Sequence, residues 1–464
     1  MAFTQKRYLW QEDLHDVIKD ALDDSKDASG LNPSMPKSEA YFRNVINYTK
    51  LAILNILPFE EDHLPVKYLG VPLVSSQLMS RDCKELIDKV QNRVNEWKNK
   101  SLSIARRLQL IQSVLNSLHV YWASVFVLPS RVLLDIEKIM RGFLWSQDNM
   151  SRGKVKVAWD VVCLSKQEGG LGIRRLDHFN KALMVSHVWK LLSLKESLWV
   201  KWIHVYKLKN RSCWDILYRE RLLCGLTSGV LRVLYPTSFH HVTLLELVLT
   251  MLPSDDNSDS LEWRCIDGMG KPFSVHNVWD SIHPRDNLVS WCDLVWFHAC
   301  IQRHAFKMWL ILKQRLRTQD CLRSWEVDSD LAVVCPLCET QPDSHEHLFF
   351  DCPFSQQVWS RVQKIAGLTG AGPSLASITT HLMPIAKRKF SKSCIGKLVV
   401  AATAYFIWHE RNSRLFNKVK RLVTEVVDCN LSNVQLKLLS CHFKKSRDAI
   451  LFARLWEIPI SNLK

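Results

Sequence analysis

Several common features are missing from this chain of 464 residues. Between Met1 and Asp20 no basic leader precedes a continuous apolar stretch, so no cleavable secretory signal is expected. The longest apolar-looking run, Val242 to Leu252, is too short to span a bilayer and is interrupted by Glu246, which argues against a membrane anchor. No fixed-period repeat and no long low-complexity tract occur, which excludes a solenoid array. The cluster Gly169-Gly170-Leu171-Gly172 lacks the following Lys-Ser or Lys-Thr of a phosphate loop and reads as a tight turn. The expected location is therefore the nucleus or cytoplasm, where thiols stay reduced. There the 14 cysteines are expected as buried apolar groups or metal ligands, not as a disulfide framework.

What is present is ordinary in one respect and skewed in another. Hydrophobic residues make up 47% and charged residues 23%, the balance of a folded soluble protein. The length allows roughly two to four modules with cores of their own. The formal net charge of +16 is the skew, and it favours polyanionic partners: nucleic acid or an acidic membrane surface. The 18 tryptophans read as core anchors.

The hydrophobic pattern predicts a mainly α fold. Leu14, Val17, Ile18, Ala21 and Leu22 follow helical spacing, and Ser29 to Pro36 is rich in turn residues. Val66 to Leu73 reads as a short strand ending in a turn, because Pro72 cannot donate to a central ladder. Leu86, Ile87, Val90, Val94 and Trp97 share one helix face, and Leu108, Ile111, Leu115 and Leu118 a second, with Ser101 or Ser103 as its cap. Further helices are expected over Val132–Trp145, over Phe179–Tyr206 and from Ile395 onward, with an acidic polar break at 253–262. Lys89, Arg93 and Lys100 lie opposite the first apolar face, with Lys98, Arg106 and Arg107 close by. They are the candidate contacts to a nucleic-acid backbone, a solvated helix face being the plain alternative.

The most specific signal is Cys335-Pro336-Leu337-Cys338 followed by His347 and Cys352, a C-x2-C-x8-H-x4-C pattern. A C-x2-C turn lets two thiolates reach one ion, and an imidazole with a third thiolate completes a tetrahedron. Three sulfurs and one nitrogen leave no open position, which suits a structural zinc ion better than a catalytic one. His345 competes with His347 for the nitrogen position, and the shorter spacing to Cys352 favours His347. Phe349 and Phe350 are expected to pack a small core, the alternative being base stacking.

These residues also carry a resemblance. The cysteine pattern with Trp359, preceded by Phe273-Ser274-Val275, Trp296, Arg303-His304-Ala305-Phe306 and Trp309, resembles the zinc-binding domain that follows plant LINE-type (non-LTR retrotransposon) reverse transcriptases. Tyr405-Phe406-Ile407-Trp408-His409-Glu410-Arg411-Asn412 with Arg414 and Phe416 is similar to that family's tail. Upstream, Lys67 to Leu73 resembles the primer grip, Ser29 to Asn32 with Pro36-Lys37-Ser38 the preceding palm motif, and Trp97 to Ser103 with Arg107 the thumb.

The resemblance implies a residual palm end at 1–75, a helical thumb and connector at 76–213, a divergent linker at 214–262, the zinc-binding domain at 263–362 and a C-terminal helical region at 375–464. It also implies RNA or DNA as a sequence-independent partner. The family's polymerase holds two metal ions on an aromatic-Ala-Asp-Asp hairpin and an earlier Asp. No such hairpin occurs in the sequence, and Asp23-Asp24 and Glu60-Glu61-Asp62 read as a helix end and a loop. The expectation is a non-catalytic C-terminal fragment of such an enzyme. The alternatives are a zinc-stabilised protein-interaction module and the product of a decayed element.

Overall fold

The computed structural model describes residues 14–30, 39–42, 45–56, 59–62, 66–73, 78–98, 100–145, 156–208, 263–264, 269–320, 334–388 and 390–463. The palm-like residues 31–38 and the linker predicted at 214–262 lie outside these ranges. The protein is mainly helical, and its described strands form three two-stranded pairs. Residues 1–87, 120–133 and 180–281 make one compact unit, and residues 88–119, 134–179 and 282–464 a second. Among the described residues no helix is long and apolar enough to cross a membrane.

α1 (Leu14–Ser29) carries Asp23 and Asp24 exposed on its surface. β1 (Glu39–Tyr41) leads to α2 (Asn47–Ile56) and to β2 (Glu60–Asp62), which pairs with β1 in parallel. The acidic run read as a loop is thus a strand, and the ammonium of Lys50 pairs with Glu61 there. The single strand expected over 66–73 is a hairpin instead, β3 (Val66–Tyr68) against β4 (Val71–Leu73). Leu69 and Gly70 both take left-handed backbone, φ +51° and +81°, as a two-residue turn of the strands' own twist requires. Pro72 is tolerated because a two-stranded pair has only edges.

α3 (Lys84–Lys98) buries Val90 and Val94 and exposes Lys89 and Arg93. α4 (Ile104–Leu110) starts at Ser103, whose hydroxyl accepts from the Arg106 amide at 3.4 Å. A wide turn at Ile111–Leu115 carries the chain into α5 (Asn116–Leu118), followed by α6 (Val120–Val125), α7 (Ser130–Trp145), which was expected, and α8 (Trp159–Cys163). At the glycine turn a Cβ on Gly170 would sit 2.1 Å from the Leu164 carbonyl oxygen, so only glycine fits. The neighbouring Gly169 carbonyl accepts from the Trp309 indole at 2.9 Å.

The helix predicted over Phe179–Tyr206 is two, α9 (Leu176–Leu192) and α10 (Leu198–Trp202). Leu194 takes a left-handed φ of +47°, which ends the first, and Ser197 caps the second by accepting from Val200 N at 3.2 Å. Inside the first unit Asn180 acts as a buried latch. Its Oδ1 accepts from Leu128 N at 2.9 Å, and its Nδ2 donates to the Ala123 and Phe126 carbonyls at 2.8 Å.

β5 (Trp263–Arg264), β6 (Gly270–Lys271) and α11 (Val275–Ile282) follow, with Trp189 stacked on Phe273 at 4.4 Å. The 282–464 part of the second unit holds α12 (Cys292–Val295), α13 (Gln302–Leu312), α14 (Pro353–Ile365), α15 (Leu375–Ala386), α16 (Ser391–Asn412), α17 (Val423–Leu438) and α18 (Arg447–Leu455). Its centre is α16, against which all of the other six pack. Residues Ile395 to Ala404 are buried throughout, so this helix has no polar stripe in its middle. Buried polar ties along it include the Asn430 amide donating to Thr403 Oγ1 at 2.7 Å and the Lys397 ammonium donating to the Ala386 carbonyl at 2.8 Å.

Candidate metal centre

The first two sulfurs sit on a closed loop. An antiparallel bridge joins Val334 to Pro342, Cys335 N donates to the Gln341 carbonyl at 2.7 Å, and Glu339 N donates to the Cys335 carbonyl at 2.8 Å. Glu339, just after the second cysteine of the pair, takes a left-handed φ of +57°, in the turn that brings Gln341 back to Cys335.

The other two ligands come from a helical turn that fails to continue. Ser344 starts it, its carbonyl accepting from Leu348 N at 3.0 Å and its hydroxyl from His347 N at 3.2 Å. Phe349 then leaves helical space and Phe350 takes a φ of +79°, while Cys352 N closes on the His347 carbonyl at 2.7 Å. Phe349 and Phe350 are 1% and 0% exposed, and Phe350 meets the Trp359 ring edge-on at 5.3 Å. Their faces are taken by the module's core, so neither is open to a nucleic-acid base.

The result is a compact donor set. The ligand atoms of Cys335, Cys338, His347 and Cys352 all lie within 4.8 Å of one another, and Cys338 Sγ is 3.2 Å from His347 Nε2. Around a tetrahedral ion with metal–sulfur and metal–nitrogen bonds of about 2.3 and 2.0 Å, ligand atoms stand roughly 3.5–3.8 Å apart. The four groups therefore fit such an ion with small adjustments, and three soft sulfurs with one imidazole are a zinc-type set. The Cys335 thiol hydrogen-bonds to Cys352, which holds Cys352 below the usual thiol range. The same bond, with burial, pushes Cys335 up. His345 is not part of the set. Its ring is buried against Phe349 at 5.0 Å, and that burial lowers its pKa.

What anchors the metal loop comes from the end of α16. Asp343 and Arg411 form an ion pair with both side chains withdrawn from water, and Asp343 also accepts from Gln319 N at 2.9 Å. Arg414 reaches the loop itself: Nη1 donates to the Leu337 carbonyl at 3.1 Å, Nη2 to the Arg421 carbonyl at 3.0 Å, and Nε to Glu410 Oε1 at 2.8 Å. Its guanidinium lies 4.4 Å over the Phe354 ring. Glu410, Arg411 and Arg414 were visible in sequence as part of a motif, and Glu410–Arg414 has the four-residue helix spacing of an ion pair. Their attachment to the metal loop was not visible, and Asp343 carried no signal at all.

The basic residues separate into two groups. Lys89, Arg93, Lys98, Lys100 and Arg106 are exposed, with Arg93 paired to Glu96 at 2.9 Å. Arg107 is apart from them. It is 6% exposed, its Nη1 points to the Phe143 carbonyl at 3.5 Å, and burial lowers its pKa. α4 turns Arg107 onto the same face as Leu108, which closes it to an outside phosphate.

Residues 273–359 match the family described as zinc-binding in reverse transcriptase. Two proteins of Arabidopsis thaliana are similar to the chain. One, a candidate ribonuclease H protein, is 25% identical over 362 residues, covering 63% of this chain and 57% of that protein. The other, an uncharacterised mitochondrial protein, is 34% identical over 83 residues, covering 18% and 54%. The chain thus spans a little over half the length of each relative. All four residues of the Cys3His cluster fall inside the matched stretch, whereas Arg411 and Arg414 fall beyond it. The similarity to the reverse-transcriptase zinc-binding family is thus confined to residues 273–359, whereas the similarity to the larger relative extends over 362 residues.

Proposed function

We propose that the chain is a zinc-bearing, nucleic-acid-binding part of a plant LINE-type retrotransposon reverse transcriptase, without polymerase activity of its own, working in the nucleus or cytoplasm. The observation that carries this reading is the Cys3His cluster lying inside the stretch that matches the reverse-transcriptase zinc-binding family. Cys335, Cys338, His347 and Cys352 would hold the ion. With four protein ligands it has no position left for substrate, so its contribution is to folding: it staples a loop that has little core of its own.

The nucleic-acid reading draws on charge. Lys89, Arg93, Lys98, Lys100 and Arg106 offer exposed cations, in keeping with the +16 of the whole chain. Such cations contact phosphates without reading bases, and the affinity they confer falls steeply with salt. The non-catalytic reading draws on carboxylates. Nucleotidyl transfer needs metal ions held by acidic side chains, and the nearest Asp-Asp pair, Asp23-Asp24, is exposed on α1.

Two measurements test the proposal. Titration of the purified chain with single-stranded RNA over a salt series should give binding that weakens linearly in log salt. No binding even at low salt would remove the nucleic-acid role. A primer-extension assay with magnesium should give no product, and detectable synthesis would overturn the non-catalytic reading. A second reading, docking of a protein partner, is favoured by Phe416, Val419 and Leu422, which are 72%, 53% and 70% exposed just past Arg414. It would gain if RNA binding proved absent.

A further inference from the structure

α16 and α17 are joined by a short turn, and contacts on either side of it fix how they lie together. At the turn, Arg421 N donates to Glu410 Oε1 at 2.8 Å and Arg414 Nη2 donates to the Arg421 carbonyl at 3.0 Å. Further along, the Asn430 amide donates to Thr403 Oγ1 at 2.7 Å. The two helices are therefore antiparallel, and moving away from the turn runs back along α16 and forward along α17. About two and a half helical turns back from Thr403 comes Cys394, in the first turn of α16. A similar distance on from Asn430 comes Cys441, just past the end of α17, its amide closing on the Leu438 carbonyl at 3.0 Å. The register brings the two cysteines to the same level, and their thiols hydrogen-bond to one another.

Their surroundings suit exchange chemistry. Both thiols are half-buried, so a small reagent has access to them. The bond from Cys394 holds Cys441 down to about 6, with the Lys437 ammonium and the Ser440 hydroxyl acting in the same direction against burial. The same bond, and burial after it, push Cys394 up. The Lys397 ammonium, about one turn along α16 from Cys394, is tied to the Ala386 carbonyl at 2.8 Å and lies 4.4 Å from the centre of the Phe297 ring. The pair thus divides into a thiolate able to attack and a thiol able to resolve.

We propose that Cys394 and Cys441 are a reversible modification site, joined as a disulfide by exchange with a small disulfide such as oxidised glutathione. The Cys441 thiolate attacks one glutathione sulfur, the S–S bond breaks, and one glutathione thiolate leaves. Cys394 gives its proton to that thiolate and attacks the Cys441 sulfur of the mixed disulfide. The Cys394–Cys441 bond forms and the second glutathione leaves as a thiolate. Two electrons have then passed from the protein to glutathione, which ends as one thiol and one thiolate. The loop so closed, residues 394–441, contains Arg411 and Arg414, which brace the Cys3His loop. Oxidation therefore stiffens the brace, and reduction, the ordinary state in cytosol and nucleus, relaxes it. The site stands apart from the nucleic-acid reading and does not depend on it.

The test uses the full chain loaded with zinc and equilibrated, without oxygen, in mixtures of reduced and oxidised glutathione. Free thiols are then blocked with iodoacetamide and the peptides read by mass spectrometry. The expected product is a linked Cys394–Cys441 peptide that grows with the share of oxidised glutathione and disappears in excess reduced glutathione. At the most oxidising ratio, both cysteines still alkylated, or Cys441 bearing glutathione with no linked peptide, would overturn the pair. So would either cysteine linked to Cys335, Cys338 or Cys352 instead. Cys394→Ser should trap the mixed disulfide on Cys441, and Cys441→Ser should take up glutathione at least about tenfold more slowly. Equal uptake by the two variants would overturn the order of attack. The linked form should release zinc to a chelator at a temperature about 5–10 °C above that of the reduced form. No rise would overturn the stiffening of the brace.

Discussion

The Asp343–Arg411 pair gives the sharpest prediction. Asp343 is 0% and Arg411 1% exposed, so neither charge can turn to water if its partner is removed. Asp343→Asn keeps the shape and leaves the guanidinium uncompensated beside the Trp408 ring. Breaking a buried pair from one side costs about 3–5 kcal/mol, far more than the pair contributes relative to apolar groups of the same size. In a unit of this size each kcal/mol moves the melting point by roughly 2–4 °C, so the expected loss is roughly 6–20 °C. Because the chain has two units, the metal-loop transition should be followed by itself, as zinc release to a chromogenic chelator during a temperature ramp. Asp343→Asn combined with Arg411→Met removes both charges and should recover most of the loss. A shift of less than about 2 °C in the single variant would refute the reasoning. So would a double variant no more stable than the single one.

Three further outcomes follow from the geometry. His347→Ala should abolish bound zinc, whereas His345→Ala should retain one ion per chain by metal analysis; the opposite pattern would transfer the ligand role to His345. Reversing Lys89, Arg93 and Lys98 to Glu should flatten the salt dependence of RNA binding by about two units of log–log slope, at roughly 0.7 per phosphate on a single strand. Arg107→Gln should instead lower thermal stability and leave that slope unchanged. The last concerns acid. Burial pushes His304 down to about 3 and His119 down to about 4, both below an unfolded histidine near 6.5. The unfolded chain therefore takes up these protons first. The stability these groups contribute is present above about pH 6.5 and is lost as pH falls toward the folded values. His304→Phe should lessen the drop in urea midpoint between neutral and mildly acid pH, compared with the unaltered chain so that acid effects on the metal ligands cancel.

How much of this was legible depends on how local the cause is. The helical stripe around Val90 and Val94 and the cap at Ser103 need only neighbours in sequence, and spacing reveals them. The hairpin at 66–73 was missed because its turn is Leu69-Gly70. A leucine in left-handed backbone is not a turn signal, so the two short strands read as one. The break after α9 was missed for the same reason at Leu194. Arg107 looked like its neighbours on a basic helix face, and only the packing of the Phe143 segment shows that it points inward. That Cys335, Cys338, His347 and Cys352 come together was legible because thiolate and imidazole spacing is a strong code. Asp343 was not, since a buried aspartate is recognised only by its distant arginine.

The contact from Arg414 to the Leu337 carbonyl has a consequence for where this module ends. The match to the reverse-transcriptase zinc-binding family ends at residue 359, and a fragment cut there would contain all four residues of the Cys3His cluster. It would lack the arginines that brace the loop from α16. The smallest portion able to behave as the intact module should therefore run through Arg421, and losing the end of α16 with the turn after it would loosen the Cys335–Cys338 loop. A heritable change at the end of α16 would then weaken the Cys3His loop while leaving its recognisable sequence signature untouched.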